Sequence, residues 1–270
     1  MTRAFLYAFA LFLASATAQA SEPVPWAFGF QAAASPTMAR IAELATLLNV
    51  VIIAIVALVT ALLGWCMWRY HEKRNPVPAT WTHNTKLEIA WTAIPTLILF
   101  LIAFPSLKLL YFMDRTQTAE MTLKVTGHQW YWSYDYPDHN LKFDALMTQD
   151  SDLQPGQLRL LTTDNPVVLP VGVAIRVQLT ADDVIHSWAV PALGLKTDTV
   201  PGRLNETWVR IDRPGTYYGQ CSELCGVNHG FMPIMIHAVP KEQFTAWLDE
   251  ARTRFAARPS QVALSGESAR

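Results

Sequence analysis

Two long stretches without a charged side chain constrain the fold of this chain more than any other feature. The first covers 25 residues, 44–68, and the second covers 19 residues, 89–107. Helices of these lengths would be about 37 and about 28 Å long, enough to cross the hydrocarbon core of a bilayer. The chain is also 51% hydrophobic and only 16% charged. The sequence therefore predicts a transmembrane helical hairpin over residues 41–113.

The charges around the two stretches predict the direction in which the hairpin crosses the membrane. Four basic side chains lie between the stretches: Arg69, Lys73, Arg74 and Lys86. Because positively charged loops stay on the cytoplasmic side, we expect this loop in the cytoplasm and the chain after Asp114 outside it.

Residues 1–20 have the pattern of a bacterial secretory signal peptide. Arg3 precedes an apolar core, and a small-x-small cleavage site ends at Ala20. An additional membrane helix is the alternative, but the short core and the cleavage site disfavour it. Residues 21–40 are expected to form an irregular exported arm. Together these features predict a multi-pass protein of the bacterial cytoplasmic (inner) membrane, with its C-terminal domain on the periplasmic side.

Glu88 stands at the start of the second stretch, on the predicted cytoplasmic side. An acid in the first turn of a helix stabilises the helix through its dipole, and this explanation requires no function. An ionisable group at a membrane entrance can also load protons. The residues alone leave both explanations open.

The exported part of the chain has the pattern of a β domain. Apolar and polar residues alternate over 173–180, as expected for a strand with one buried face. Further short strand-like runs cover 121–126, 158–161, 167–169, 184–190, 207–211 and 234–239. Pro-Gly and Asn-Pro turn signals separate them, which predicts a sandwich or Greek-key barrel. An amphipathic helix is expected over residues 241–257 and a disordered polar tail over 258–270.

Four ligands of soft-metal type lie within twelve residues: Cys221, Cys225, His229 and Met232. Thiolate and imidazole favour copper, zinc or iron–sulfur, and the thioether narrows the choice to copper sites of the cupredoxin type. Such sites need one more histidine from a distant strand, and His186 is the candidate. Two bridging thiolates can hold two metal ions, each with one terminal imidazole. Met232 and a backbone carbonyl would remain as weak axial ligands.

Two simpler explanations of the cysteine pair compete with copper. Cysteines separated by three residues outside the cytoplasm often form a disulfide. A structural zinc site would use both cysteines and both histidines but leave Met232 without a role. The combination of all five residues favours copper over either alternative.

Several segments carry a family resemblance: GHQWYWSYDYP at 127–137, HSW at 186–188, KTDTVPGR at 196–203 and YYGQCSELCGVNHGFMPI at 217–234. They resemble the dinuclear copper (CuA) domain of cytochrome c oxidase subunit II, and the resemblance continues in order from about residue 28 to about residue 248. It implies a membrane-anchored α+β fold. In that fold, an N-terminal two-helix transmembrane hairpin precedes a cupredoxin-like Greek-key β-barrel, here residues 114–240.

The resemblance implies an electron-entry function and a role for each clustered residue. A copper pair would accept electrons from cytochrome c and pass them to haem in subunit I, where O2 is reduced to water with proton pumping. Cys221 and Cys225 would be bridging thiolates, His186 and His229 terminal imidazoles, Met232 an axial thioether, and Glu223 a ligand through its backbone carbonyl. The Glu223 side chain would bind magnesium at the seam with subunit I.

Two further residues take a role from the resemblance. Alternation places Trp130 on one strand face with Trp132, Tyr134 and Tyr136, as packing residues. The resemblance instead makes Trp130 the surface ring through which electrons reach copper. It makes Glu88 the entrance of a proton path into subunit I.

The expected partners follow from the same resemblance and from charge. Residues 131–153 carry five aspartates against Lys142 alone, an excess that could steer a basic cytochrome c. Subunit I, subunit III and the lipid bilayer are the other expected partners. A net charge of −1 gives no reason to expect nucleic acid.

Three other classes of protein share parts of this pattern. A quinol oxidase subunit II has the hairpin and barrel but lacks copper ligands. A nitrous oxide reductase has a similar copper centre but is soluble. A membrane-tethered copper chaperone would use fewer, more exposed ligands, and would need neither Glu88 nor the aromatic run.

Overall fold

The computed structural model describes residues 22–114 and 118–256. The predicted signal peptide, 1–20, and polar tail, 258–270, lie outside the described residues. Two compact units are present: a helical unit, Arg40–Asp114, and a second unit formed by the described residues on either side of it.

Two helices form the apolar part of the chain. Helix α1 covers Pro36–Arg69 and helix α2 covers Thr85–Asp114, and both are long and apolar enough to cross a membrane. The side-chain oxygen of Asn84 caps α2 by accepting hydrogen bonds from the backbone N–H groups of Lys86 and Leu87.

Helix α1 begins inside the segment that we expected to be an irregular arm. Ser35 Oγ accepts a hydrogen bond from the Met38 N–H, and Pro36 occupies the first helical position. Arg40 and Glu43 therefore lie within the helix, before the uncharged run. The uncharged stretch 44–68 marks only the part of α1 that suits the membrane interior. The helix itself extends N-terminally to the residues that cap it.

The second unit is a β-sandwich of ten strands in two sheets. The strands are β1 Met121–His128, β2 Tyr131–Tyr136, β3 Leu141–Ala145, β4 Val167–Pro170, β5 Ile175–Ala181, β6 His186–Val190, β7 Leu195–Thr199, β8 Asn205–Val209, β9 Gly215–Cys221 and β10 Pro233–Val239. One sheet has the order β3-β2-β1-β5-β8 and the other β4-β10-β9-β6-β7. The predicted fold class, a helical hairpin followed by a cupredoxin-like β domain, is confirmed.

Large aromatic side chains fill the space between the sheets. Trp132, Tyr134 and Tyr136 from β2 are almost completely buried, as is Trp188 from β6. Their polar atoms are satisfied, since Trp188 Nε1 donates to the Tyr134 hydroxyl at 3.2 Å. Trp130 does not share this face. It precedes β2 in the turn after β1 and is only half-buried.

One predicted strand is absent from the fold. The prediction of a strand at 158–161 is wrong, because these residues form turns and Leu160 has a φ of 65°, which interrupts an extended backbone. Helix α3, Lys241–Ala256, buries Phe244, Leu248 and Ala251 against the sandwich.

Candidate metal centre

The pairing of β6 with β9 brings the two halves of the candidate centre together. Trp188 pairs with Cys221 and Ala189 with Gln220, so the first residue of β6, His186, lies beside the end of β9. The other candidate ligands follow in the loop from β9 to β10. Gly219 permits the close approach of the strands, because a Cβ there would lie 2.0 Å from the Ala189 carbonyl oxygen.

Six candidate ligands from the sequence form a continuous chain of contacts. The two thiol sulfurs, of Cys221 and Cys225, are 3.8 Å apart. His186 Nδ1 is 4.0 Å from the Cys221 sulfur, and His229 Nδ1 is 3.5 Å from the Cys225 sulfur. The Met232 sulfur is 3.6 Å from the Cys225 sulfur, and the Glu223 carbonyl oxygen is 3.4 Å from the Cys221 sulfur.

The geometry disfavours a disulfide and suits soft-metal binding. Both cysteines are free, and their 3.8 Å separation far exceeds the roughly 2.05 Å of a disulfide bond. On either side of the line joining the sulfurs there is a point about 2.3 Å from both, a normal metal–sulfur distance. One ion or two can therefore bridge the pair. The proximity of the Met232 thioether favours copper over zinc.

Burial and mutual repulsion split the acidities of the two thiols. Burial raises the pKa of Cys221, but hydrogen bonds with the His186 ring and with the backbone at Glu223 and Ser187 outweigh this, so its pKa is lowered. Burial and then the negative charge of Cys221 raise the pKa of Cys225. Near neutral pH the metal-free site therefore favours a single thiolate, and a bound cation has to supply the charge that stabilises the second.

Asp183 fixes the orientation of His186. Its Oδ1 is 2.8 Å from His186 Nε2, which leaves Nδ1 directed at the Cys221 sulfur. Burial alone would lower the pKa of His186, but the hydrogen bonds with Cys221 and Asp183 raise it. Burial likewise opposes ionisation of Asp183, yet hydrogen bonds from His186 and from the Val184 and Gln129 N–H groups lower its pKa. The carboxylate is thus held charged beside a candidate ligand.

Trp130 is tied directly to the loop that carries the thiols. Its indole Nε1 donates to the Cys225 carbonyl oxygen at 3.1 Å, and Gln129 Nε2 donates to the same oxygen at 2.8 Å. Gly226 makes room for the ring, because a Cβ there would lie 3.0 Å from Trp130 Cζ2, and its φ of +118° also suits glycine. Asp183 Oδ2 accepts a hydrogen bond from the backbone N–H of Gln129. The Asp183 carboxylate therefore links Gln129, the residue before Trp130, to His186.

The remaining candidate residues lie apart from the sulfur cluster. The Glu223 side chain is exposed, although its carbonyl contacts Cys221. Glu88 belongs to the helical unit, in the first turn of α2, and lines a shallow open groove on one face of that helix together with Thr92 and Thr96. Its position in the first turn is the one that the dipole explanation requires.

Fold and cluster together define a class: a membrane-anchored β-sandwich with a soft-metal site of the cupredoxin type. The ligand atoms of His186, Cys221 and Cys225 all lie within 4.8 Å of one another. The family model for the cytochrome c oxidase subunit II periplasmic domain matches residues 121–239, and that for its transmembrane domain matches 23–109.

Similar proteins carry the same description. A probable cytochrome c oxidase subunit 2 of Rickettsia bellii is 48% identical, over 96% of this chain and 94% of the relative. Cytochrome c oxidase subunit 2 of Oenothera berteroana is 48% identical, over 88% of this chain and 94% of the relative. The crystal structure of the periplasmic domain of subunit II from Bradyrhizobium japonicum is 52% identical, covering 52% of this chain and 99% of that one, with a TM-score of 0.49.

The chain belongs to the cytochrome c oxidase subunit II family. It is thus a subunit of a haem–copper terminal oxidase, an oxidoreductase complex, and has a subunit I as its partner. Its two apolar helices are a membrane anchor, and its β domain is the copper-binding domain of the family. The comparison with relatives of alphaproteobacterial origin agrees with the resemblance stated above.

We expect Asp183→Ala to weaken soft-metal binding about 10- to 100-fold, the usual effect of removing a partner that orients a histidine ligand. Titration of copper against a competing chelator measures the affinity. Asp182→Ala is the matched control, because Asp182 faces His128 at 3.6 Å and contacts no candidate ligand. Equal affinities of the two variants would contradict the orienting role.

Proposed function

We propose that this chain is the electron-entry subunit of its oxidase. This chain would hold a dinuclear copper (CuA) centre, through which electrons from cytochrome c would reach haem in subunit I, where O2 is reduced to water with proton pumping. The observation that carries the proposal is the pair of free, buried thiols 3.8 Å apart, flanked by two imidazoles and a thioether.

The residues that would hold the copper pair follow from the contact chain. Cys221 and Cys225 would bridge, His186 and His229 would bind one at each end, and Met232 and the Glu223 carbonyl would be axial ligands. When bound, copper supplies a one-electron carrier. The protein contributes rigidity: Trp132 Nε1 donates to the Met232 carbonyl at 3.3 Å, and the Cys221 N–H donates to the same oxygen at 3.3 Å. Ligands fixed in this way need little rearrangement when the charge of the site changes.

Trp130 is proposed as the point at which electrons enter. Its ring is half-buried and its indole N–H contacts the Cys225 backbone, so it joins the protein surface to the ligand loop. Cytochrome c would dock over this ring. Exposed acidic residues on the same domain, Asp138, Asp150 and Asp152 among them, would attract a basic donor at long range.

The remaining roles concern the seam with subunit I and the membrane. The exposed Glu223 side chain would bind magnesium there, two residues after Cys221, the last residue of β9. Glu88 would load protons at the cytoplasmic mouth of a path into subunit I, because an ionisable group within a membrane helix is costly without a function. We place the copper domain on the periplasmic side of a bacterial cytoplasmic membrane, in a complex that includes subunit III.

Electron paramagnetic resonance with metal analysis of the copper-loaded chain tests the central proposal. We expect two coppers per chain sharing one unpaired electron, with hyperfine structure from both nuclei. Cys221→Ser and Cys225→Ser should each abolish this signal while the near-ultraviolet circular dichroism of the domain persists. Cys66→Ser is the control. Two coppers retained in either serine variant at position 221 or 225 would refute the bridging roles.

Trp130→Gln should slow oxygen turnover with cytochrome c while copper content stays unchanged, because the ring would connect donor and ligand loop without holding metal. Stopped-flow reduction of the copper centre measures the entry step. Trp247→Gln removes another half-buried indole from helix α3 and is the control. Unchanged reduction in the Trp130 variant would leave that ring a packing residue only.

Glu88→Ala should slow oxygen turnover while cytochrome c still reduces the copper centre quickly, because only proton delivery would be impaired. Glu88→Asp should recover much of the activity. Glu72→Ala, which removes an exposed acid from the loop between α1 and α2, is the control. Equal slowing of both steps in Glu88→Ala would indicate faulty assembly instead of a proton defect.

A further inference from the structure

A second cavity of about 440 Å³ lies in the helical unit, where α1 begins and α2 ends. One face of each helix lines it. Arg40, Glu43 and Leu47 are spaced at i, i+3 and i+7 on α1, and Lys108 and Leu109 come from the last two turns of α2. The function proposed above uses none of these residues.

The lining changes from charged to apolar along the helix axes. Arg40 and Glu43 directly precede the uncharged stretch 44–68, and Lys108 directly follows the uncharged stretch 89–107. Leu44, Leu47 and Leu109 form the apolar wall. The cavity therefore spans the level at which hydrocarbon gives way to the polar surface of the bilayer.

The two cations of the cavity are available to a ligand. The Arg40 guanidinium lies over the Phe112 ring, 3.5 Å from its centroid, which supports one face and leaves the N–H edge open. Within residues 22–114 and 118–256, neither Arg40 nor Lys108 has a carboxylate within 4.0 Å. Both side chains are exposed. Two cations and the carboxylate of Glu43 give the lining a formal charge of +1.

We propose that this cavity binds one anionic phospholipid, with its phosphate between Arg40 and Lys108. A guanidinium presents paired N–H donors that match a phosphate, and an ammonium adds a point charge. An acyl chain would lie along Leu44, Leu47 and Leu109. A phosphodiester with a neutral glycerol headgroup carries one negative charge, which the lining compensates.

Competing occupants fit the lining less well. Free inorganic phosphate leaves the leucine wall uncovered, and its second charge would be repelled by Glu43. A zwitterionic headgroup brings its own ammonium, so the positive charge of the lining remains uncompensated. A carboxylate from another subunit could pair with Arg40, but it would not fill the apolar wall. The match of both halves of the cavity favours a lipid.

The test measures lipid retained by the assembled oxidase. Delipidated complex is titrated with phosphatidylglycerol, or with phosphatidylethanolamine of identical acyl chains, and bound lipid is counted by native mass spectrometry. Arg40→Gln and Lys108→Gln remove the cations, and Arg69→Gln removes a cation at the other end of α1 as the matched control. Arg40→Lys keeps the charge, and subunit stoichiometry shows whether each variant assembles.

We expect phosphatidylglycerol to bind more tightly than phosphatidylethanolamine. Arg40→Gln and Lys108→Gln should each weaken it roughly fivefold, with little effect of Arg40→Lys or Arg69→Gln. Glu43→Gln should strengthen it. Equal binding of both lipids, or no effect of either glutamine variant, would overturn the proposal. Displacement by millimolar inorganic phosphate would reduce the cavity to an anion site, and binding to the isolated chain but not to the complex would show that another subunit covers it.

Discussion

The pairing of β6 with β9 is the interaction on which the candidate metal centre depends. Only two residue pairs join these strands, yet they bring His186 from one part of the chain beside Cys221 from another. The two strands can approach closely because Gly219 has no Cβ that would clash with the carbonyl oxygen of Ala189. A strand shift of one residue would turn His186 to the other face of the sheet and remove it from the site.

Around this pairing, hydrogen bonds hold the ligands from both sides. Asp183 fixes the His186 ring from outside the cluster, while the Met232 carbonyl accepts hydrogen bonds from Trp132 and from the Cys221 backbone. The Cys225 carbonyl in turn accepts from Gln129 and Trp130. The turn after β1 and the ligand loop are therefore joined by hydrogen bonds, so a displacement of either segment would displace the other.

Features that depend on local pattern could be predicted from the sequence. Long uncharged runs and the alternation in β5 report directly on burial, and the spacing of Cys221, Cys225, His229 and Met232 confines four ligands to one loop. Strands β3 and β7 were not predicted. Each covers only five residues, and both lie at sheet edges, where Lys142 and Lys196 are exposed. In β3 the apolar residues do alternate with charged ones, but over too few residues to identify a strand.

Features that depend on tertiary contacts could not be predicted in this way. Trp130 follows the aromatic alternation in the sequence but leaves the strand, because its indole is bound to a carbonyl that is 95 residues distant. Gln129 had no local signal at all. Asp182 and Asp183 are neighbours in the sequence, and only the folded positions of His128 and His186 show that Asp183 contacts a candidate ligand and that Asp182 faces His128.

The division of the ligands between β6 and the loop after β9 has a consequence for the order of events during biogenesis. The end of β9 and the loop after it offer two thiols, one imidazole and a thioether, but the second imidazole arrives only when β6 pairs with β9. A nascent chain therefore cannot present the complete site. A metal ion that needs both imidazoles would therefore bind only after these two strands have paired, and until then both thiols would be open to oxidation.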